Sequence, residues 1–298
     1  IARAEIIERS DHLPMALAVT LAVIAKKIAI LEVYDIIQPI TELMMHLSIS
    51  KAIRERAVAV LAKFLTEYKM TMDKVRSHID LYLRNLNYPE PTGRLALLEL
   101  LQVLVFRLPT VVLQQEGNVF FIPIVSTTCQ DEAAEVREKA AGVLKALVIN
   151  SGLGTFQKTI VGWLDRPETR FKCTALQALA HGLTTVKSTT NDPADGFNKV
   201  AWVVPHILRA VLHKQEHHNK KKQAQQDLKL KEREAVEMKH WEYIFFGLKC
   251  VEALMDAHMN SFAETFAAQI MPHLFAKLIN HTHPWIRQAA MRIVQRYL

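Results

Sequence analysis

Three stretches of the chain repeat one spaced pattern: a proline inside an apolar helix, then 14 or 15 residues later an aliphatic-Arg pair opening a second helix. The pairs are Pro39 with Ile53-Arg54, Pro123 with Val136-Arg137, and Pro272 with Ile286-Arg287. Counting from each arginine, the third residue is alanine (Ala57, Ala140, Ala290), the seventh aliphatic (Leu61, Leu144, Val294) and the tenth large and apolar (Phe64, Leu147, Tyr297). That is one buried stripe at helical period, written three times. Two antiparallel helices cannot bury their apolar faces alone, so a repeat of about 40 to 47 residues predicts stacking into an all-α solenoid of the HEAT or armadillo kind. A stack of this sort offers an extended surface for holding partners rather than a catalytic pocket.

The arginines Arg54, Arg94 and Arg137 stand 40 and 43 residues apart. At the middle one Gly93 replaces the aliphatic residue, and Leu97, Leu101 and Leu104 occupy the third, seventh and tenth places. Helices are predicted at Leu13–Leu31, Asp35–Leu47, Lys51–Tyr68, Met72–Leu86 and Gly93–Arg107, with a turn at Tyr88-Pro89-Glu90-Pro91 whose prolines cannot extend the helix before it. After Arg137 the spacing shortens to 33, at Arg170, where Cys173 takes the small-residue place. Val186–Asp195 reads as a surface loop. The apolar pattern of Val203–Leu212 resumes only at Trp241, leaving Lys214–Lys239 as a charged insertion within a repeat. It carries eight Lys/Arg against five acids and has too few apolar residues to join a core. The expected organisation is a single solenoid fragment, 1–298, belonging to a longer protein and interrupted by the insertion at 214–239.

Half of the residues are hydrophobic and 22% are charged, which supports a packed core and excludes a largely disordered chain. The most apolar stretch, Leu95–Val105, is short and contains Glu99 and Gln102, so it reads as a buried helix rather than a membrane span. Cys129, Cys173 and Cys250 lie far apart on apolar helix positions, which argues against a disulfide framework and for the cytosol or nucleus. Lys plus Arg number 37 against 30 Asp plus Glu, a formal charge of +7 with a pI near 9.3. Such an excess favours polyanionic partners.

Signatures of chemistry are weak. Gly152-Leu153-Gly154 lacks the strand and the third glycine of a phosphate loop and reads as a helix end. His213-Lys214-Gln215-Glu216-His217 has the form H-x-x-E-H, but it stands at the mouth of a solvated insertion without an evident third ligand. His281-Thr282-His283 reads as an inter-helix turn, and Asn280-His281-Thr282 is a glycosylation triplet in form only. No catalytic residue, metal ligand, cofactor or small-molecule substrate is expected. For Arg54, Arg137 and Arg287, at helix starts, the expected role is structural: tying repeats through a carboxylate or carbonyl. The strongest candidate for polyanion contact is Lys220, Lys221, Lys222, Lys229, Lys231 and Arg233, since a lysine tract neutralises phosphates without fixed geometry. The plainer alternative is a solvated charged segment. Off the apolar stripe of the second helices, Lys63, Lys139, Lys145, Lys172, Arg292 and Arg296 are further candidates, for backbone contact only.

From Ser77 to Val148 the sequence resembles a known family. Asn87-Tyr88, Gly93-Arg94 with Leu97–Leu100, Phe120-Phe121-Ile122-Pro123 and Glu135–Leu147 are similar to the C-terminal region of the DRIM (down-regulated in metastasis) family. Its members are giant HEAT-repeat subunits among the U-three snoRNA-associated proteins of the small-subunit processome. Trp241–Leu254 and His283-Pro284-Trp285-Ile286-Arg287 through Leu298 resemble later stretches of the same region. The resemblance implies a nucleolar, non-enzymatic scaffold within a large hetero-complex, wrapping pre-ribosomal RNA together with U-three snoRNP and processome proteins, with no membrane partner. The rival expectation from the residues is a protein-only HEAT adaptor of the nuclear-transport or kinase type, without RNA contact. A metal enzyme built on His213 and His217 is the third.

Overall fold

The computed structural model describes residues 13–25, 32–46, 51–68, 70–186, 193–212 and 240–298, and among these there is no strand. The chain divides into two compact units, Ile1–Ser151 and Gly152–Leu298. In the first the helices are α1 (Leu13–Ala25), α2 (Glu32–Met45), α3 (Lys51–Glu67), α4 (Met72–Arg84), α5 (Pro91–Arg107), α6 (Thr110–Gln130) and α7 (Ala134–Ser151). In the second they are α8 (Gln157–Leu164), α9 (Thr169–Leu183), α10 (Pro193–Asn198), α11 (Val204–Val211), α12 (Trp241–Thr265), α13 (Ala267–His273) and α14 (Pro284–Tyr297). That the two units form one continuous fragment is an expectation of the sequence.

Each unit is a two-layer stack. In the first, α3, α5 and α7 follow α1 in a row, each packed on the one before, while α2, α4 and α6 form the second layer. In the second unit α9, α12 and α14 form the corresponding row, with α8 and α11 laid against α9 and α12. The stripe read from the sequence is the seam between layers: Ala57, Leu61, Phe64, Leu97, Leu101, Leu104, Ala140, Leu144 and Leu147 are all buried. Pro39, Pro123 and Pro272 do lie inside helices. Proline frees the carbonyl four residues earlier; for Pro123 that residue is Val119, on the exposed side of α6. After Pro272 the helix widens into a π segment, Leu274–Leu278, where the Ile279 N–H reaches back five residues to the Leu274 carbonyl at 3.1 Å.

Three expectations change. Residues 193–195, assigned to a loop, open the short helix α10. Pro91, assigned to a turn, is the first residue of α5, where its missing N–H costs nothing. The register read from Arg170 moves by two. α9 begins at Thr169, so Lys172 is its fourth residue, and buried Ala175 and Leu179 fall at the third and seventh places, whereas Gln177, seventh from Arg170, is only half-buried. Gly152 has a φ of 83° and ends α7 in the left-handed conformation, as read.

α12 breaks helical geometry at His258 (φ −146°, ψ 49°), whose buried ring stands edge-on to Phe197 with centroids 6.1 Å apart. Burial holds its imidazole below the usual value, against a backbone hydrogen bond to Val186 that raises it. Burial also lowers His78, His206 and His273. The unfolded chain then takes up protons first, near the ordinary 6.5, so stability is complete above that pH and declines as pH falls through and below it. A urea midpoint dropping between pH 7 and pH 5, with a shallower drop in His258→Gln, is the expected outcome.

Two glycines predict opposite effects. A Cβ on Gly93 would meet the Tyr88 ring at 2.4 Å and the Met45 carbonyl at 3.1 Å, while one on Gly142 of α7 meets nothing within 4 Å. Gly93→Ala is expected to destabilise by about 1–3 kcal/mol and Gly142→Ala to stabilise by about 0.5–1 kcal/mol, both read from urea unfolding.

Candidate functional site

At three of the second helices the arginine near the helix start folds back onto its own turn. Arg94, Arg137 and Arg287 are each the fourth residue of their helix. Arg94 Nη1 donates to the carbonyls of Tyr88 (2.7 Å) and Pro89 (2.8 Å). Arg137 Nη1 does the same with Asp131 (2.6 Å) and Glu132 (2.9 Å), and Arg287 Nη1 with His281 and Thr282, both at 2.8 Å. One guanidinium nitrogen therefore serves two turn carbonyls that the helices cannot satisfy. Arg54 occupies the same fourth place in α3.

Arg94 also reaches the next pair. Its Nη2 lies 2.9 Å from Asp131 Oδ1 and its Nε 2.8 Å from Oδ2, a two-point contact with side chains only 6% and 7% exposed. Asp131 in turn accepts the N–H of Ala133 at 2.9 Å, capping α7. Arg137 and Arg287 bind carbonyls, as expected of a structural role, but those of their own turn; the tie to a neighbouring pair is made by Arg94.

The other candidate cations differ in their partners. Arg292 Nε lies 2.9 Å from Glu252 Oε1, Arg296 is paired with Asp256, and Lys63 lies 3.5 Å from Glu67. Lys172, in the place of a clamp arginine, sets its ammonium 5.8 Å from the Tyr243 ring centroid on α12. Lys139 and Lys145 are half-buried on α7 and enter no ion pair among the described residues. Lys220, Lys221, Lys222, Lys229, Lys231 and Arg233, with the rest of 214–239, His213 and His217, lie outside the described residues.

The His281-Thr282-His283 turn is held by its imidazoles. His281 Nδ1 accepts the His283 N–H at 3.0 Å, and His283 Nδ1 accepts that of Trp285 at 3.3 Å. The His283 ring stacks on Trp241, centroids 4.0 Å apart and 4° from parallel. Among the described residues no group of three or more His, Cys, Asp or Glu is placed to hold a metal ion, and no helix is long and apolar enough to cross a membrane. Burial pushes the Cys129 thiol up to about 12, far from the range of a reactive thiolate.

Sequence reasoning missed the ion pairs of the repeat itself. Arg76–Glu116, Glu252–Arg292 and Asp256–Arg296 all join residues 40 apart. Opposite charges at the repeat spacing were the signal that could have found them.

No family model matches the chain. Over 148 residues, 49% of the chain, the sequence is 28% identical to U3 small nucleolar RNA-associated protein 20 of Saccharomyces cerevisiae. Over 139 residues, 47% of the chain, it is 27% identical to the protein of the same name from Schizosaccharomyces pombe. These similarities bear out the resemblance read from the sequence. The match spans 6% of the length of either relative. Among solved structures, a designed armadillo repeat protein in complex with peptide (KR)4 covers 88% of the chain and 99% of its own length at 11% identity, with a TM-score of 0.39. A second designed armadillo repeat protein overlays at 10% identity with a TM-score of 0.37. The overlays are loose, and the fold class stands on the helix pairs themselves.

Breaking the buried pair should be costly because the partner charge is left without compensation. Arg94→Ala or Asp131→Ala is expected to destabilise by about 3–5 kcal/mol, and Arg94→Lys to recover little, lacking the fork. Arg296→Ala, at a half-exposed pair, should cost about 0–1 kcal/mol. Urea unfolding of the four variants checks the order.

Proposed function

We propose that the chain is part of a non-enzymatic scaffold in ribosome small-subunit biogenesis, acting in the small-subunit processome during processing of pre-18S ribosomal RNA. In this reading it works in the nucleolus and holds pre-ribosomal RNA backbone and assembly factors, among them U3 snoRNP and processome proteins. The observation that carries the reading is the similarity to U3 small nucleolar RNA-associated protein 20 of two yeasts over about half of the chain. The helix-pair stack supports it, since such a surface holds partners over a long reach without a reaction centre.

The formal charge of +7 supports a polyanion as one partner. Of the candidate cations among the described residues, Lys139 and Lys145 have no carboxylate partner there. The lysine tract Lys220–Arg233 contributes further backbone contacts in this proposal. Arg292 and Arg296 must first leave Glu252 and Asp256 before they can meet a phosphate, so their contribution is smaller. The contacts neutralise phosphate and read no base.

Binding of a structured RNA and of a 30-nucleotide uridine oligomer by the purified chain, measured from 50 to 200 mM salt, tests this. A steep negative slope of log affinity against log salt is expected, and Lys139→Glu with Lys145→Glu should flatten it by about one unit per lost phosphate contact. A complex with a protein partner that is insensitive to salt, with no RNA retained, would favour the protein-only adaptor.

A further inference from the structure

α6 is a 21-residue helix with one charged residue, Glu116, in a chain whose residues are 22% charged. That single charge is neutralised by Arg76 of α4. The solvent side of α6 is Val111, Gln114, Gln115, Asn118, Val119 and Ile122, of which the three aliphatic residues are 60%, 44% and 47% exposed. Beside it α4 leaves Met72 49% exposed. Between the two helices runs an open groove of about 310 Å³, with Val75, Ile79, Val112 and Phe120 in its floor and Met72 and Val119 in its walls. α4 and α6 together carry three cations (Lys74, Arg76, Arg84) and three acids (Asp73, Asp80, Glu116), so this face is neutral in a chain of +7.

We propose that the groove between α4 and α6 docks an amphipathic helix of a protein partner, two of whose apolar side chains, one turn apart, enter the groove while uncharged polar residues meet Gln114 and Gln115. The charge pattern selects this occupant. A nucleic acid requires uncompensated cations, yet Arg76 is bound to Glu116 and Asp73, and Arg84 to Asp80. Large apolar side chains left exposed around a groove, here Met72 and Val119 with Ile122 beside them, are otherwise a liability. Its shape, a slot between two helices, suits a third helix presenting anchors at helical spacing. The inference deepens the scaffold reading, on which it rests, by assigning protein partners to the layer of α4 and α6 and leaving the RNA backbone to the lysines of α7.

The test places photoreactive benzoylphenylalanine at Val119, and separately at Ile122, in the full-length protein within its assembled particle, and identifies the crosslinked segment by mass spectrometry. Both positions are expected to trap one segment of a partner protein with apolar residues at helical spacing. Met72→Glu, on the opposite wall, should reduce that crosslink at least tenfold. Val111→Glu, beyond the groove's lining, should reduce it less, and circular dichroism should report intact helices in both. Crosslinks to nucleotides, to a second copy, or to residues 1–12 or 213–239 of the same chain would overturn the proposal, as would a protein crosslink indifferent to Met72→Glu, or none. The salt-dependent RNA binding of the chain is read in parallel. Its absence alone counts against the scaffold reading, and its persistence in Met72→Glu separates a failure of the groove from a failure of that reading.

Discussion

The guanidinium that folds back over the inter-helix turn before α5, α7 and α14 is the contact on which the stack depends. A helix pair needs a tight turn, and a tight turn strands carbonyls that neither helix can satisfy. In the described clamps one arginine nitrogen serves two of them at 2.6–2.9 Å, from the fourth residue of the helix that follows. Tying that helix to the turn fixes its rotation. The third and seventh residues after Arg94, Arg137 and Arg287 are then buried, and so is the tenth in α5 and α7, whereas Tyr297, the tenth in α14 and expected on the buried stripe, is 37% exposed near the end of its helix. Arg94 extends the same logic by holding Asp131, whose backbone carbonyl is already in the grip of Arg137. Turn, helix start and neighbouring pair thus share one network of charged hydrogen bonds.

Much of this was legible in the chain because the stripe and the clamp recur at fixed offsets. Ala57, Ala140 and Ala290 are buried where the repeat placed them, and Gly152 ends its helix as read. The failures have local causes. Arg170 drew attention as an arginine, yet the helix starts at Thr169 and puts Lys172 in the clamp position, where a lysine lacks the fork and instead approaches the Tyr243 ring. Gly93 stood where an aliphatic residue was expected, and composition could not say why. The reason is a Tyr88 ring that leaves no room for a Cβ. The neutrality of α6 was also visible, as 20 uncharged residues among 21, but a charge vacuum has no motif and is noticed only when the helix proves to be exposed.

The two layers of the first unit differ in their charge. α7 carries Lys139 and Lys145 without carboxylate partners among the described residues, while α4 and α6 balance three cations with three acids around an apolar groove. Polyanions and apolar helices make opposite demands on a surface, the first for uncompensated charge and the second for its absence. One stack can meet both only by separating them between layers. The repeat allows this because each layer's outward residues lie off the stripe and are not fixed by packing.

Ion pairs at the repeat spacing set a limit on how the basic balance is counted. Arg76, Arg292 and Arg296 each meet an acid 40 residues away, so a cation of one repeat is compensated by the next. Such pairs add little stability where they are exposed, but they hold successive helices in register and remove their members from the pool available to phosphate. A cation already paired releases no counterion on meeting RNA unless its acid is first freed, which adds a desolvation cost to the contact. In the proposed reading, the number of phosphates the surface can neutralise is therefore set by the cations without a carboxylate partner and not by the count of basic residues. An excess of +7 over 37 cations counts paired and unpaired charge alike.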